Sequence, residues 1–578
     1  MNITDILENS IKTALKGLKL EESKVVLEHP EDLTHGDYST NIAMSMAKKA
    51  AQNPKALAEK IVLEINKNKP KEVSRVEVAG TGFINFYLSP EFFVMQSGEI
   101  LKAGKGFGIN GNLKGEKTII EYTDPNPFKE FHIGHLMSNA IGESISRIIE
   151  ANGAMVTRAN YQGDVGLHVA KTIWGVQRMM EKDQKTKNEF FGGLFGIGKN
   201  PRIWGKAYAF GAKAYEEDEK AKKEIVEINK KVYGRTDHEI NEIYDVGRKV
   251  SLAEFEKIYK LLDTYFDEYF FESETNEFGK NLVLDNIKTG VFEKSDGAVI
   301  FKGENYGLHT RVFINSEGLP TYEAKDLGLA KIKYDRTQYD RSIVVTGNDI
   351  NEYFKVLLKA LSFIYPDLSK KTVHIPHGML RMPEGKMSSR TGDVITAISL
   401  IEDVKEKVLQ KMDDRGMGRK EQGEVAEKVT IGALKYSILK QVTGKDIIFD
   451  FEKSLSFEGD SGPYLQYSYA RARSILRKAK DEKIKLNSKK VGKEINTLEK
   501  MLYRFPEVVE RAGNEYSPHY IATYLIELSS SFNNFYAHNK IVDKDNADSS
   551  YNISLTEAFS IVLRNGLDLL GIQAPERM

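Results

Sequence analysis

Cysteine is absent from the 578 residues of this chain. Its absence excludes a disulfide framework, a thiolate zinc site and a cysteine nucleophile. An excess of either charge is also absent, because 83 lysines and arginines balance 83 aspartates and glutamates. The total charge therefore indicates no polyanionic partner, and any nucleic-acid surface must be a local basic patch.

Long apolar runs are lacking as well. No stretch approaches the length of a membrane span. The first residues, MNITDILENSIKTALKGL, carry acidic side chains and lack the apolar core of a signal peptide. We therefore expect a cytoplasmic protein with no membrane segment. The apolar fraction of 41% is typical of a soluble globular chain, and the length predicts three or more domains.

The beginning of the chain combines helical and strand-like patterns. Helical periodicity covers residues 3–18, 41–51 and 53–65. Alternating apolar residues in 73–89, around a Gly-Thr-Gly sequence, indicate two strands joined by a turn. The sequence therefore predicts an α+β domain over residues 1–108, and a basic, glycine-rich linker separates it from the next strand.

Strands and helices alternate over residues 117–397. The separation of apolar, β-branched strands by helices predicts a Rossmann-type α/β domain with a doubly wound parallel sheet. A mostly helical insertion at about 185–285 is expected to lie outside the sheet. The predicted strands are residues 118–120, 154–158, 297–301, 311–315, 341–347 and 372–378.

Residues 398–578 have helical periodicity and no convincing strand. This pattern predicts an all-α helical bundle as the last domain. The helical segments are 398–412, 424–440, 463–480, 494–512, 517–538 and 554–570.

The stretch EYTDPNPFKEFHIGHL, residues 121–136, carries the first chemical motif. Pro125 and Pro127 prevent the strand before them and the helix after them from continuing through the gap. His132 to His135 therefore lie where a strand has ended and a helix begins. A helix N-terminus offers N–H groups to phosphate at such a place, so the stretch predicts a nucleotide site.

A second motif, HGMLRMPEGKMSSRTGD, occupies residues 377–393 and also follows a predicted strand. Lys386 and Arg390 supply positive charge, and Ser388 and Ser389 supply hydroxyl donors for phosphate oxygens. Each motif alone is weak. In this order, each at the end of a predicted parallel strand, the two motifs together indicate a nucleotide-binding enzyme.

The two motifs resemble those of class I aminoacyl-tRNA synthetases, HIGH and KMSKS. The first is complete here, and the second reads KMSSR. Four further stretches resemble arginyl-tRNA synthetases in particular: DYSTNIAMSMAKK (37–49), PNPFKEFHIGHL (125–136), GPYLQYSYARARSI (462–475) and LLGIQAPERM (569–578). The resemblance implies an N-terminal tRNA-binding domain (1–108), a catalytic domain (117–397) and an anticodon-binding domain (398–578).

The resemblance also implies the reaction. ATP and L-arginine would form arginyl-adenylate with release of diphosphate, and the arginyl group would pass to the 3′-terminal adenosine of tRNA(Arg). Its residues for catalysis would be Lys129, His132, His135 and Lys386. Those for ATP would be His132, Gly134, His135, His377, Gly378, Met379, Lys386, Ser388 and Ser389, and Mg²⁺ is expected to accompany the ATP phosphates.

The second motif departs from the family pattern, because Ser389 stands where the pattern has a lysine. Loss of a phosphate-facing cation should lower catalysis unless another cation replaces it. Lys129, three residues before His132, resembles the lysine of those arginyl enzymes that lack the other one. We predict that Lys129 neutralises ATP phosphates; the alternative is a solvated loop charge.

Arginine as a substrate requires a carboxylate for its guanidinium fork. By resemblance Asp326 supplies it, with Tyr322 packed on the guanidinium plane. The alternative for Asp326 is a helix cap or surface ion pair. The other residues implied for arginine are Glu121, Asn126, His135 and one of Asn348 and Asp349, and the sequence leaves the choice between the last two open.

Tyr464, Tyr467, Arg471 and Arg473 fall on or near one face of a helix that begins at about Pro463. Tyrosines with arginines suit stacking on splayed anticodon bases and contact with phosphates, although a tyrosine here can also be a core residue. Met578 matches a family position that contacts the anticodon loop.

Two other functions compete with arginine–tRNA ligation. One is a nucleotidyltransferase with a non-RNA acceptor, which the large helical domain disfavours. The other is a tRNA-binding paralogue without activity, which the intact first motif disfavours. A further alternative for the two histidines is that they only cap the helix. A monomer is expected.

Overall fold

The protein is described by a computed structural model over residues 3–21, 23–192, 196–381, 396–412, 418–487 and 494–578. The chain forms two compact units. The small unit comprises Met1–Phe107, Arg471–Pro506 and Glu527–Leu563. The large unit comprises Gly108–Ala470, Glu507–Ile526 and Arg564–Met578.

Helices account for most of the secondary structure. Several begin as the sequence predicts: Asn53 accepts hydrogen bonds from the N–H groups of Lys55 and Ala56, with Pro54 as the first helical residue. The α-helices of the described residues are Ile3–Gly17, Ile42–Ala47, Pro54–Lys67, Pro90–Ala103, Ile133–Ala151, Leu167–Lys182, Lys187–Phe191, Pro201–Glu217, Glu219–Gly234, His238–Leu261, Glu272–Asp285, Tyr322–Thr337, Asn351–Ile364, Pro366–Lys371, Ala397–Lys411, Arg419–Leu439, Phe451–Ser454, Gly462–Asp481, Thr497–Leu502, Phe505–Asn514, His519–His538 and Ser549–Leu569. None of these helices is both long and apolar enough to cross a membrane.

The small unit contains a three-stranded antiparallel sheet. Its strand order is Tyr38–Thr40, Phe83–Leu88 and Val73–Ala79. The last two are the strands predicted from apolar alternation. Apolar residues of the first helices and of this sheet share one buried core, so the α+β class predicted for the beginning of the chain is confirmed.

The large unit contains a five-stranded sheet in which every neighbouring pair is parallel. From Lys117–Glu121 in the centre, the chain adds two strands on one side and later two on the other. Next to the central strand the order therefore reverses, which is where open α/β sheets bind ligands beyond the carboxyl ends of their strands. The strand order is Thr372–His377, Arg341–Gly347, Lys117–Glu121, Met155–Gln162 and Glu268–Phe271.

Two predicted strands of this sheet belong elsewhere. Ala298–Phe301 and Arg311–Ile314 form a separate antiparallel sheet with Glu293–Ser295. The reason is the turn at Asp296 and Gly297, whose φ angles of 48° and 79° are both positive. An Asp-Gly turn of this kind closes a two-residue hairpin, whereas parallel strands need a long crossover.

Further corrections concern short or marginal elements. Glu268–Phe271 is an edge strand of the parallel sheet, although the sequence places it within the insertion. Ile447–Ile448 is a strand within the region predicted to lack one, and it pairs with Leu380–Arg381. The predicted helix over 494–512 is two helices, which are separated at Tyr503 and Arg504.

The buried carboxylate of Asp164 links the insertion to the edge of the sheet through hydrogen bonds. Asp164 accepts hydrogen bonds from Tyr244 Oη at 2.9 Å and from Arg248 Nε at 3.0 Å. It also accepts from the backbone N–H and the hydroxyl of Ser273. Since the first two partners lie in the helix His238–Leu261, Asp164 holds the insertion next to the carboxyl ends of the strands.

Candidate active site

The segment between the central strand and the helix Ile133–Ala151, the first-motif helix, has an unusual backbone. Thr123, Asp124 and Phe128 have φ angles of 78°, 45° and 71°, a region that non-glycine residues rarely adopt. Hydrogen bonds hold it there, since the N–H of Thr123 donates to Ser138 Oγ at 3.0 Å and that of Phe128 to Ser251 Oγ at 2.9 Å. Backbone strain of this kind clusters at functional sites.

The two histidines of the first motif are stacked, with ring centroids 3.6 Å apart. His132 is the N-cap, and its Nδ1 accepts a hydrogen bond from the N–H of Gly134. His135 Nδ1 accepts from the N–H of His132 at 3.3 Å. The histidines therefore do cap the helix, but only through Nδ1. A neutral imidazole carries one N–H, so each ring presents Nε2–H as a donor.

The charge state of the histidines follows from their surroundings. Burial and the nearby Lys129 lower the pKa of His132. Burial, His132 and Lys129 together lower the pKa of His135 strongly. Burial and Lys171 also lower the pKa of Lys129, whose Nζ lies 5.1 Å from the ring centre of Tyr208. The histidines are therefore neutral donors at pH 7, and Lys129 lies within electrostatic reach of both.

Three acidic residues meet where the central strand ends. Glu121 is buried and pairs with Lys333 Nζ at 2.7 Å. Asp124 accepts a hydrogen bond from the N–H of Tyr161, and Asp326 accepts one from Tyr353 Oη at 2.5 Å. Burial raises the pKa of Asp326 to about 8, and the charge of Glu121 adds to the effect. Three carboxyl groups therefore share one lysine, and Asp326 keeps its proton below about pH 8.

A second buried ion pair lies beside this cluster. Glu272 Oε2 is 2.6 Å from Lys325 Nζ, and both side chains are buried. A Cβ on Gly163 would lie 2.2 Å from Asn126 Oδ1 and 3.1 Å from Glu272 Oε1. The missing side chain of Gly163 thus lets the predicted substrate residue Asn126 and the unpredicted Glu272 approach the same point.

Three further residues that the resemblance implies for arginine are exposed. Tyr322 is 57% exposed, and its ring centre lies 4.9 Å from Lys325 Nζ, so a cation of the protein already faces that ring. Asn348 and Asp349 follow the strand Arg341–Gly347 and are both exposed. Their geometry leaves the choice between them as open as the sequence does.

The strand next to these two residues ends in His377. Its Nδ1 donates to the carbonyl of Gly378 at 2.7 Å, and its buried Nε2 has no hydrogen-bond partner among the described residues. Gly378 lies against the carbonyl oxygen of Lys445, which a Cβ would meet at 2.1 Å. Met379 is 43% exposed. The close approach of the backbone at Lys445 therefore explains why residue 378 is a glycine.

Lys386, Ser388, Ser389 and Arg390 lie outside the described residues. The residues that follow this segment return to the first motif. The N–H of Ala397 donates to the carbonyl of Phe131 at 2.8 Å, and Thr396 forms an isolated β-bridge with His132. Thr396 and Ala397 therefore lie beside the first motif.

Comparison with known proteins identifies the family. The profile of the catalytic domain of "tRNA synthetases class I (R)" matches residues 99–451. Profiles of the arginyl-tRNA synthetase N-terminal domain and of the DALR anticodon-binding domain match residues 3–88 and 465–578. The chain belongs to the class I arginyl-tRNA synthetases. The family identified from the motifs is thereby confirmed.

Relatives of the chain match over nearly its whole length. The arginine–tRNA ligase of Porphyromonas gingivalis is 30% identical over 601 aligned residues and covers all of both chains. That of Fusobacterium nucleatum is 32% identical over 585 residues, with 100% of this chain and 99% of the relative covered. These matches extend the family assignment over the whole length of the given sequence.

Solved structures share the fold. The arginyl-tRNA synthetase of Thermus thermophilus superposes with a TM-score of 0.79 at 24% identity, over 99% of this chain and 100% of that one. That of Plasmodium falciparum gives 0.77 at 21% identity, over 100% and 99%. The predicted fold class, a doubly wound parallel sheet with an N-terminal α+β domain and a C-terminal helical domain, is confirmed.

The residues that the synthetase resemblance implies for tRNA occupy one helix and the C-terminus. Tyr464 and Tyr467 are half-buried in Gly462–Asp481. Further along the helix, Arg471 Nη1 donates to Asn533 Oδ1 at 2.5 Å, and Arg473 pairs with Glu557 at 3.4 Å. Both arginines therefore already contact polar side chains of the small unit. Met578 is half-buried in the large unit.

Sequence reasoning missed Glu272, Lys325 and Lys333. Glu272 follows the short strand Glu268–Phe271, which the sequence pattern places within the insertion, so no sequence signal assigns Glu272 to a strand end. The two lysines stand in YEAKDLGLAKIKY, where one is next to Asp326 and the other is seven residues later. Their proximity to Asp326 in sequence is the signal that could have indicated them.

Proposed function

We propose that the chain carries out its family's reaction, arginine–tRNA ligation, in two steps at the carboxyl edge of the parallel sheet. In the first, a carboxylate oxygen of L-arginine attacks the α-phosphorus of ATP, and diphosphate leaves. In the second, a ribose hydroxyl of the 3′-terminal adenosine of tRNA(Arg) attacks the carbonyl carbon, and AMP leaves. The observation that carries the proposal is the pair of neutral imidazoles beside a cluster of carboxylates.

Each group of the site has a role in this scheme. The Nε2–H groups of His132 and His135 donate to phosphate oxygens that gain charge in the pentavalent transition state. Gly134 lies in the first turn of the first-motif helix, and the dipole of that helix adds to the attraction for phosphate. Lys129 and Lys386 neutralise phosphate charge, and Ser388 and Ser389 donate hydroxyls.

Arginine is held by the acidic cluster. Asp326 accepts the guanidinium fork, and Tyr322 covers its plane. Glu121 takes the α-amino group, and Asn126 and His135 take the carboxylate end. Asn348 or Asp349 contacts substrate or ribose, and His377, Gly378 and Met379 back the adenine. The unpartnered Nε2 of His377 is an acceptor, which suits an exocyclic amino group.

The tRNA is a substrate of the second step, and magnesium accompanies the ATP. Among the residues that the structure describes, no group of three or more His, Asp or Glu side chains could hold a metal ion. We expect Mg²⁺ to accompany the ATP phosphates, because this ion usually binds through substrate phosphates. Tyr464, Tyr467, Arg471, Arg473 and Met578 contact the anticodon loop. A monomer in the cytoplasm remains our prediction from the sequence.

One assay separates this function from its rivals: ATP–diphosphate exchange with L-arginine, with and without tRNA(Arg), followed by aminoacylation of the tRNA. We expect exchange that depends on arginine and, as is typical of the family, on tRNA. Exchange without transfer to tRNA would favour a nucleotidyltransferase with another acceptor. No arginine-dependent exchange would overturn the proposal, and tRNA binding alone would favour an inactive paralogue.

A further inference from the structure

The helix Tyr322–Thr337, here called the Asp326 helix, carries two buried lysines that neutralise the acidic site residues at two different strand ends. Lys333 reaches Glu121 at the end of the central strand, with Nζ 2.7 Å from Oε2. Lys325 reaches Glu272, directly after the edge strand, with Nζ 2.6 Å from Oε2. Both lysines are 3% exposed. Asp326, next to Lys325 in sequence, accepts instead from the Tyr353 hydroxyl.

One carboxylate oxygen of Glu272 pairs with Lys325, and the other lies near Asn126, a residue predicted to bind the substrate. Oε1 lies 3.1 Å from the position of a Cβ on Gly163, and Asn126 Oδ1 lies 2.2 Å from the same position. The charge of Glu272 also acts on Asp326 and on Lys129. Glu272 therefore belongs to the arginine side of the site.

A carboxylate at this depth needs a counter-charge. Burial raises the pKa of Glu272, and the ammonium of Lys325 opposes that rise. The ammonium in turn faces the rings of Tyr322 and Tyr233, whose centres lie 4.9 and 5.6 Å from Nζ. Without Lys325, the pKa of Glu272 would rise further, and the attraction of its carboxyl group for a guanidinium group would weaken.

We propose that Lys325 is a positioning residue for arginine recognition: it keeps Glu272 ionised and turns its second oxygen toward the substrate. Lys325 then acts on arginine only through Glu272 and makes the site select a cationic side chain over a neutral one of the same shape. This inference rests on the proposed function. Nothing in it requires Lys325 to touch the substrate.

The first test uses Lys325→Met, which removes the charge and keeps the length of the side chain. We expect the KM for arginine in the exchange assay to rise roughly 10- to 100-fold, with the KM for ATP little changed. L-citrulline, a neutral isostere of arginine, should inhibit the variant at least as well as the wild type. Lys325→Arg, which keeps the charge, should recover part of the loss.

The matched control is Lys331→Met in the same helix. Lys331 pairs with Asp335 at 2.6 Å on the surface, where the lysine side chain is 31% exposed. Its removal should leave the KM for arginine and the inhibition by citrulline unchanged. A general weakening of the Asp326 helix would instead affect both lysine variants. It would also weaken the binding of citrulline as much as that of arginine, so the inhibition constant and the KM would rise together.

A double-mutant cycle with Glu272→Gln supplies the second test. If Lys325 acts through Glu272, adding Lys325→Met to Glu272→Gln should change the KM for arginine by less than about twofold. Removing both charges also avoids a lone buried charge, so this variant keeps the test available if Lys325→Met does not fold.

Three results would overturn the inference: an unchanged KM for arginine in Lys325→Met, equal losses for arginine and citrulline, or additive effects in the cycle. Each presupposes arginine-dependent exchange in the wild type. If the wild type lacks that exchange, the proposed function fails. If the wild type shows the exchange and Lys325→Met behaves like the wild type, only this inference fails.

Discussion

In both His132 and His135, one ring nitrogen caps the helix and the other is available to a ligand. Nδ1 of each accepts a backbone N–H at the start of the first-motif helix, which fixes the tautomer and leaves Nε2–H for a ligand. Since burial and Lys129 lower both pKa values, the rings act as neutral hydrogen-bond donors. Positive charge at the phosphates must therefore come from groups other than these histidines, and Lys129 is the nearest lysine in sequence.

Lys129 is the residue whose removal tests this division. We expect Lys129→Ala to lower arginine-dependent exchange by roughly 100- to 1000-fold, because one preorganised charge contact to the transition state is lost. The exposed Lys206 on the neighbouring insertion helix Pro201–Glu217 provides the control, and Lys206→Ala should leave exchange unchanged. If Lys129→Ala kept full exchange while Lys386→Ala abolished it, Lys129 would be a solvated loop charge.

Asp326 predicts a pH dependence of arginine binding. Its pKa is raised to about 8, so the carboxyl group is protonated below that pH and cannot accept two guanidinium donors. The KM for arginine should therefore fall as the pH rises toward 8, by up to about tenfold per unit well below the pKa, and should level off above it. The groups that face Asp326 are Tyr353, Glu121, Glu272, Lys333, Asp124, Tyr161 and Tyr322.

The measurement is the KM for arginine across this pH range in wild type and in Asp326→Asn. The variant should have a higher KM that varies less with pH. A KM that is flat in the wild type would mean that Asp326 is ionised throughout or does not hold the guanidinium group.

Among the elements, the pairing of two helices decides where the site's charges lie. Glu272–Asp285 and the Asp326 helix approach so closely at Gly279 that a Cβ there would meet the carbonyl oxygen of Ala324 at 2.0 Å. This contact lies one residue before Lys325. The distance between the two backbones therefore sets the geometry of the pair formed by Lys325 and Glu272.

Gly279→Ala should destabilise the protein by about 1–3 kcal/mol, because the clash is with backbone and the helices must separate. It should also raise the KM for arginine. Gly423→Ala is the matched control, since Gly423 lies within the helix Arg419–Leu439 with no heavy atom within 4 Å of its added Cβ, and alanine there should stabilise by up to about 1 kcal/mol. Thermal unfolding midpoints would check both; an unshifted midpoint for Gly279→Ala would contradict the close packing.

At the scale of the whole chain, residues far apart in sequence meet at the first-motif helix. Ser144 Oγ donates to the carbonyl of Leu569 at 2.9 Å. The buried Lys435 donates to the carbonyls of Leu262 and Gly571, at 2.6 and 2.9 Å. The end of the chain is thus fixed to the helix that begins with the two histidines, and all of these residues belong to the large unit.

Lys435 gives this junction a pH dependence. Burial and Arg147 lower its pKa from 10.5 to about 8, with Glu143 and Asp263 opposing. Between those two values the unfolded chain holds a proton that the folded protein has lost, so the contribution to stability rises with pH across this window. The unfolding free energy of the wild type should therefore gain up to about 3 kcal/mol relative to Lys435→Met.

The measurement is the midpoint of thermal unfolding of the wild type and of Lys435→Met, below pH 8 and again near pH 10. All other titrating groups are the same in the two proteins, so the difference between their midpoints reports on Lys435. A gap that stays constant or narrows as the pH rises would show that Lys435 keeps its proton in the folded protein.

How much of the site the sequence predicts depends on how local the cause is. The prolines and the histidines of the first motif are adjacent in sequence, so the strand-to-helix transition and its N-cap could be predicted from them. The Asp-Gly turn at 296 and 297 is equally local, and a hairpin could have been predicted from it. Glu268–Phe271, by contrast, has only four residues, too few for a pattern, and it is a strand because Met155–Gln162 offers its edge.

By itself the sequence determined the family, the reaction, the central strand and the first-motif helix, because each depends on residue types at short spacing. Only the tertiary structure decided which charges face each other. Glu121 and Lys333 are 212 residues apart, and Glu272 and Lys325 are 53 apart. Such pairs form because parallel strands bring their carboxyl ends to one edge. A buried carboxylate there is stable as an ion only if the fold delivers a lysine to it.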